Sequence, residues 1–414
     1  MHGPTALPVE LWREILFNVI DLPHALDMVI DTAACYWIQQ DLYHDENAYY
    51  KTERQRRLLR LVCRLWRDFA DENKHRWIIY DSRNASKHAR QRGALKAMET
   101  IRSATIRSMN GLSRTTVVGK PRRVSFPIAS DIELQLFKGL LGHYPHRIKI
   151  LCLESSIGYQ DEIFEALLDN KDNLPSLRSL MLNQPRNCST PLQTISTTFP
   201  KLTGLTMSWY ETARNSPEDK IKLLHLENLY LDVPTLEGFK IEGWAMPELL
   251  RLVIPLFNIT ARFADSLNFV KLYGSRLVFL VLNSGVAERL PKAFWTWCPV
   301  LTELTGHFSA MEIEGPIPED HPIKHLIHFP AFSLRREAGV DSSLWHNIEI
   351  LPFHLKSIIV SIDGGWASYL LRFDSFPRDE VTSYLERLST ACAQRFIRVE
   401  DESQRSLDDY LATR

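Results

Sequence analysis

The chain has 414 residues, 45% of them apolar, enough to bury a sizeable core, and its 49 basic residues nearly cancel its 50 acidic ones. That balance leaves no global field of the kind that draws a protein to nucleic acid or anionic lipid, so neither is expected as a partner. No run approaches the roughly 18 apolar residues of a membrane span, and Glu10, Arg13 and Glu14 stand where a signal peptide would be apolar. An intracellular protein is expected, cytoplasmic or nuclear; the basic clusters RQRR (54–57) and KPRR (120–123) are too short to decide between the two.

In chain order, the first element is LPVELWREIL, residues 7–16, a helix with Pro8 at its start and Glu10 in its first turn. A helix-like segment with a mixed charge run follows. RLLRLVCRLWRDFA, residues 57–70, then predicts a second helix with Arg57, Arg60, Arg64 and Arg67 in one stripe. As one helix it has two oily faces, Leu58, Leu61, Val62, Leu65 and Phe69 on one and Leu59, Cys63, Trp66 and Ala70 on the other. That is more apolar surface than one packing contact needs. RWIIYDS (76–82) reads as a strand, and RRVSFPI with the periodic stretch after it reads as an atypical strand–helix unit.

From Ile148 onward the pattern L-x-x-L-x-L recurs nine times, starting at Ile148, Leu177, Leu202, Leu226, Leu249, Leu277, Leu301, Ile323 and Leu355. All but the last of the offsets fall between 22 and 29 residues. Each hexamer predicts a short strand with its first, fourth and sixth residues inward, followed by a return segment such as DEIFEALLDN, LQTISTTF or KAFWTWC. Pro175, Pro200, Pro247 and Pro299 stand two residues before the first Leu of their hexamers and stop the preceding return. The usual turn asparagine is missing, so an irregular array is expected. PRDEVTSYLERLSTACAQRFIRV, after this array, predicts a capping helix, and the last residues, EDESQRSLDDYLATR, a frayed tail.

LPVELWREIL together with LRLVCRLWRDFA resembles an F-box, whose marks are L-P-x-E-hydrophobic and L-V-C-x-x-W-x-x-x-A, and with its repeats the chain resembles F-box-like, leucine-rich-repeat proteins of the fungal type. The resemblance implies an α/β protein in which an N-terminal helical F-box-like module precedes an irregular leucine-rich-repeat solenoid, a horseshoe, closed by a C-terminal helical cap. The segments would be 1–75 (with an insertion at about 22–56 that lengthens the F-box spacing), 76–147, 148–376 and 377–414. It further implies a substrate-recognition subunit of a Skp/cullin/F-box ubiquitin ligase. Leu7, Pro8, Leu11, Ile15, Val62, Cys63 and Trp66 would meet a Skp-family adaptor, and through it a cullin, with Trp66 as anchor. A target protein would rest on the inner wall, where Tyr230, Arg251, Phe279 and Glu303 stand between the inward leucines. A repeat scaffold with a degenerate box is the other outcome the long insertion allows.

No catalytic signature is present: no G-x-S-x-G, G-x-G-x-x-G, Walker loop or H-E-x-x-H. His321, His325 and His328 have a ligand-like spacing, but the repeat register puts them on a strand, with 325 and 328 on opposite sides. SIDGGW (361–366) reads as a glycine turn. Cys35, Cys63, Cys152, Cys188, Cys298 and Cys392 include no C-x-x-C pair and are expected as buried thiols. No enzyme activity, cofactor, metal or homo-oligomer is therefore expected.

Overall fold

The computed structural model describes residues 9–20, 51–72, 77–79, 123–128, 130–143, 146–155, 158–183, 191–208, 221–232, 241–256, 263–284, 288–306, 311–328, 348, 351, 355–360, 378–401 and 405–412. The chain divides into two compact units, Met1–Met207 and Ser208–Arg414.

The first unit contains helices α1 (Val9–Ile20), α2 (Arg64–Glu72), α3 (Asp131–His143), α4 (Gln160–Asp169) and α5 (Pro191–Thr198). Its strands are β1 (Trp77–Ile79), β2 (Arg123–Ile128), β3 (Ile150–Ser155), β4 (Ser179–Asn183) and β5 (Gly204–Ser208). They lie in sequence order, with β1, β2, β3 and β4 paired in parallel. Because each parallel neighbour needs a crossover, helices or long returns alternate with the strands.

In the second unit β6 (Asn228–Asp232), β7 (Arg251–Leu256), β8 (Phe279–Ser284), β10 (Glu303–Gly306), β12 (His325–His328), β13 (Ser357–Val360) and β14 (Arg398–Asp401) form a parallel sheet in that order. A separate two-stranded sheet joins β9 (Glu288–Leu290) to β11 (Met311–Ile313). The helices are α6 (Phe263–Tyr273), α7 (Phe294–Trp297), α8 (Arg378–Ala393) and α9 (Leu407–Ala412).

All nine hexamers supply a strand, and wherever burial is described their first, fourth and sixth residues are buried as the pattern requires: Leu277, Leu280 and Leu282, for example, are each fully inaccessible. Regularity comes from the main chain instead of the missing asparagine. The carbonyl of the second hexamer residue accepts two backbone N–H groups from the next hexamer: Lys149 O from Arg178 and Ser179, Glu227 O from Leu250 and Arg251, Val278 O from Thr302 and Glu303, and Lys324 O from Lys356 and Ser357. Each strand entry is thereby satisfied without a side chain.

The α/β class stands, but the horseshoe and its separate N-terminal module do not. The described residues form parallel sheets, and the N-terminal helices α1 and α2 belong to the same compact unit as the first five strands. A solenoid offers an open inner wall, whereas here most of the positions between the leucines are buried too: Val253, Phe279, Val281 and Thr305 are each 1% exposed. Strands buried on both faces are the signature of a covered parallel sheet, and the apolar choices at the intervening positions drive that burial.

The helix at Arg378 forms as expected, burying Leu385, Leu388 and Cys392, but it does not close the array. The chain turns through Phe396 (φ 58°) and adds β14 beside β13. Beyond it, residues 405–412 of the expected frayed tail carry α9, with Leu407 and Tyr410 buried.

Tyr273 shows how neighbouring returns lock together: its one hydroxyl proton is shared between the carbonyls of Ile241 and Trp244, both at 2.9 Å, and its ring packs 4.9 Å from Phe269. Gly274 follows where a side chain has no room. A Cβ there would lie 2.7 Å from Trp297 O and 2.8 Å from Cys298 Sγ. Gly274→Ala is expected to cost about 1–3 kcal/mol, an overpacking penalty, read as a lower midpoint in thermal unfolding.

Burial pushes the Cys298 thiol up to about 12, burial and then Asp408 do the same for Cys392, and burial and then Glu242 take Tyr273 to about 12. Below pH 9 these groups are protonated in folded and unfolded chains alike, so they leave stability constant. Between pH 9 and 12 only the unfolded chain ionises, so stability is lost as pH rises through that window. Denaturant midpoints measured from pH 8 to 11 should fall steadily above pH 9.

Candidate protein-docking site

The site is built on α1 and on the stretch that was expected to be a single helix over 57–70. That stretch is broken: helical residues 51–59 end in a turn at 60–62, and α2 begins at Arg64. Leu61 N–H donates to Leu58 O (2.9 Å) and Val62 N–H to Leu59 O (3.1 Å), three-residue bonds that tighten the last turn. Arg67 Nε covers the carbonyl of Arg60 at 3.3 Å, while Arg67 N–H restarts the helix on Cys63 O at 3.0 Å.

The break re-sorts the two expected faces. Leu59, Trp66, Phe69 and Ala70 turn inward, with Leu59 and Trp66 packed on the buried pair Leu16 and Phe69. Leu58, Leu61, Val62 and Cys63 turn outward, the first three exposed to 58%, 78% and 58%. On α1 the same division falls at four-residue spacing: Trp12 and Leu16 pack, whereas Leu11 and Ile15 stay 45% and 44% exposed. Five of the nine exposed large apolar side chains among the described residues thus lie on these short segments. Such concentration makes this the candidate docking surface of the described residues, whereas scattered single exposures need no partner.

A buried ion pair holds the arrangement. Arg56 donates from Nε to Glu53 Oε2 at 2.7 Å and from a terminal nitrogen to Ala70 O at 2.8 Å, tying the helical residues 51–59 to α2. Both members are nearly inaccessible, Arg56 at 6% and Glu53 at 8%.

Of the expected adaptor residues, Leu11, Ile15, Val62 and Cys63 are exposed on this site, and Leu7 and Pro8 lie outside the described residues, as does most of the insertion. Trp66 is placed otherwise than as an exposed anchor. Its ring packs against Trp12 at 5.7 Å and 52°, so it serves the packing between α1 and α2. Leu58 and Leu61 are the residues that sequence reasoning did not select; the surplus apolar face was their signal.

Three of the four expected target residues share one register across the second sheet, with Arg251 paired to Phe279 and Phe279 to Glu303 in a row that runs from Asn228 to His325 and Ser357, whereas Tyr230 lies two residues along and pairs with Val253. They do not make an open wall. Phe279 is 1% and Tyr230 8% exposed, so neither offers its ring to a partner, while Arg251 and Glu303 are half-buried and Arg251 donates to Asn228 Oδ1 at 3.3 Å.

The histidine set is divided. His321 lies ahead of β12; its Nδ1 accepts from Ile323 N–H (3.3 Å), which leaves Nε2–H to donate to Cys298 O (2.8 Å). His325 is on β12 with Nδ1 2.7 Å from Ser357 Oγ. Among the described residues no three His, Cys, Asp or Glu are gathered to hold a metal ion, and no helix is long and apolar enough to cross a membrane.

Burial holds the His325 imidazole below its ordinary range; Glu400 opposes the shift, and Lys356 and Lys324 add to it. A depressed folded pKa means that stability present above pH 6.5 is lost as pH falls past it. His325→Gln should remove that part of the acid dependence, measured as denaturant midpoints from pH 7.5 to 5.

No family model and no curated protein matches the chain. Among solved structures it is similar to a chain in the crystal structure of the Rad7 and Elc1 complex in yeast, at 13% identity and a TM-score of 0.38. The similarity covers 59% of this chain and 64% of that one, so the chain spans less than two thirds of that relative's length.

Proposed function

We propose that the chain is a substrate-recognition subunit of a Skp/cullin/F-box ubiquitin ligase, docking a Skp-family adaptor through Leu11, Ile15, Leu58, Leu61, Val62 and Cys63. The observation that carries this reading is the outward display of apolar side chains at the two segments that resemble the start and end of an F-box, over a packed layer of Trp12, Leu16, Trp66 and Phe69. An apolar centre of this kind stays costly in water until a partner covers it. The chain itself would carry out no covalent step. By holding a target protein elsewhere on its surface it would raise that target's effective concentration beside the transfer machinery.

The test is co-purification of a Skp-family adaptor with the full chain and with Leu11→Asp and Val62→Asp variants of unchanged thermal midpoint. Retention by the natural chain and loss by both variants supports the reading. A natural chain that retains no adaptor overturns it and leaves the helices as packing for the strands of their own unit.

A further inference from the structure

We propose that the partner face that covers Leu58, Leu61 and Val62 is acidic, selected by a rim of arginines around this apolar centre; the inference rests on the docking reading above and deepens it. Over the whole chain acids and bases cancel, yet residues 51–72 hold seven basic residues against four acidic ones, Glu53 and, in the second half of α2, Asp68, Asp71 and Glu72. One of those acids, Glu53, is already taken up by Arg56 in the buried pair. Arg54, Arg57 and Arg64 are exposed on the same helix–turn–helix stretch as the exposed Leu58, Leu61 and Val62. Local positive charge around an exposed apolar group is the anatomy of a protein interface, where arginine is favoured and the rim stays hydrated.

An anionic lipid surface offers the same charge, but the chemistry of α1 disfavours it. Glu10 and Glu14 are exposed there alongside Leu11 and Ile15 and outnumber the single exposed cation, Arg13, so anionic headgroups would repel this face on balance. A folded partner can place acids opposite the arginines and leave the glutamates in water. Rim charges of this type speed encounter and make it sensitive to salt, whereas the apolar centre sets the lifetime of the complex.

The experiment measures association and dissociation rates of the full chain with a purified Skp-family adaptor at low and high salt. It compares the natural chain with an Arg54→Gln, Arg57→Gln, Arg64→Gln triple variant. The expected result is an association rate that drops about tenfold or more with salt and with the triple variant, and a dissociation rate that changes much less. Binding whose association rate ignores both salt and the triple variant overturns the acidic-face proposal and leaves the adaptor reading intact. No binding to the adaptor overturns both. Phosphatidylserine vesicles serve as the second arm: capture by vesicles that the triple variant abolishes, with adaptor association unaffected, assigns the rim to lipid and also overturns the proposal.

Discussion

Leu61→Asp is expected to weaken adaptor binding by tenfold to several hundredfold while leaving the thermal midpoint of the free chain where it was. The asymmetry follows from position. Leu61 is 78% exposed in a turn, so the free protein loses almost no packing when it is replaced. In the complex the same side chain would be covered. Removing it forfeits about 1.5–3 kcal/mol of burial, and the aspartate left in an apolar centre adds a desolvation penalty. Leu58→Asp should behave alike, and its 58% exposure predicts the same innocence toward stability. Calorimetric titration with the adaptor, paired with thermal unfolding of the free chain, checks both halves. A variant that binds normally would remove the turn at 60–62 from the site.

The converse is expected of Arg56→Met. Here the free chain should lose about 3–5 kcal/mol, because the substitution strands a buried carboxylate and a buried carbonyl. Glu53 would keep its 8% exposure with no cation, and Ala70 O would lose its donor at 2.8 Å. Adaptor binding should fail with it, through loss of the helix pairing and not through loss of a contact. The double variant Glu53→Gln, Arg56→Met removes both charges and should recover most of the stability, since an apolar or neutral pair of similar size often replaces a buried ion pair without loss. Denaturant unfolding of the natural chain and the two variants measures this directly. Trp66→Ala belongs with this group: its packing on Trp12 makes it a stability variant, so it cannot report adaptor contact cleanly.

Much of the local structure was legible. The nine hexamers fix strand identity and spacing because leucine at the first, fourth and sixth positions has to leave water at each crossing. RWIIYDS and RRVSFPI likewise become β1 and β2, the first around a short apolar run, Trp77–Ile79, and the second with Val124, Phe126 and Ile128 alternating. The break between residues 51–59 and α2 was not legible. Helix propensity across RLLRLVCRLWRDFA is continuous, with no glycine or proline to stop it. The turn is instead imposed by tertiary bonds, Arg67 to Arg60 O and Arg56 to Ala70 O, whose partners are seven and fourteen residues apart.

By itself, then, the sequence determined the nine hexamer strands, their parallel succession, and that the two motif segments carry more apolar surface than one core contact uses. Those properties are local, set by spacing and side-chain type. Only the tertiary structure decided which of the apolar residues face water, that Tyr230 and Phe279 are buried where an open wall was expected, and that the chain past α8 returns as β14. Each of these depends on what lies against the residue from distant parts of the chain. A periodic pattern shows that a face is apolar, and the neighbouring elements determine whether that face is filled from within or left for a partner.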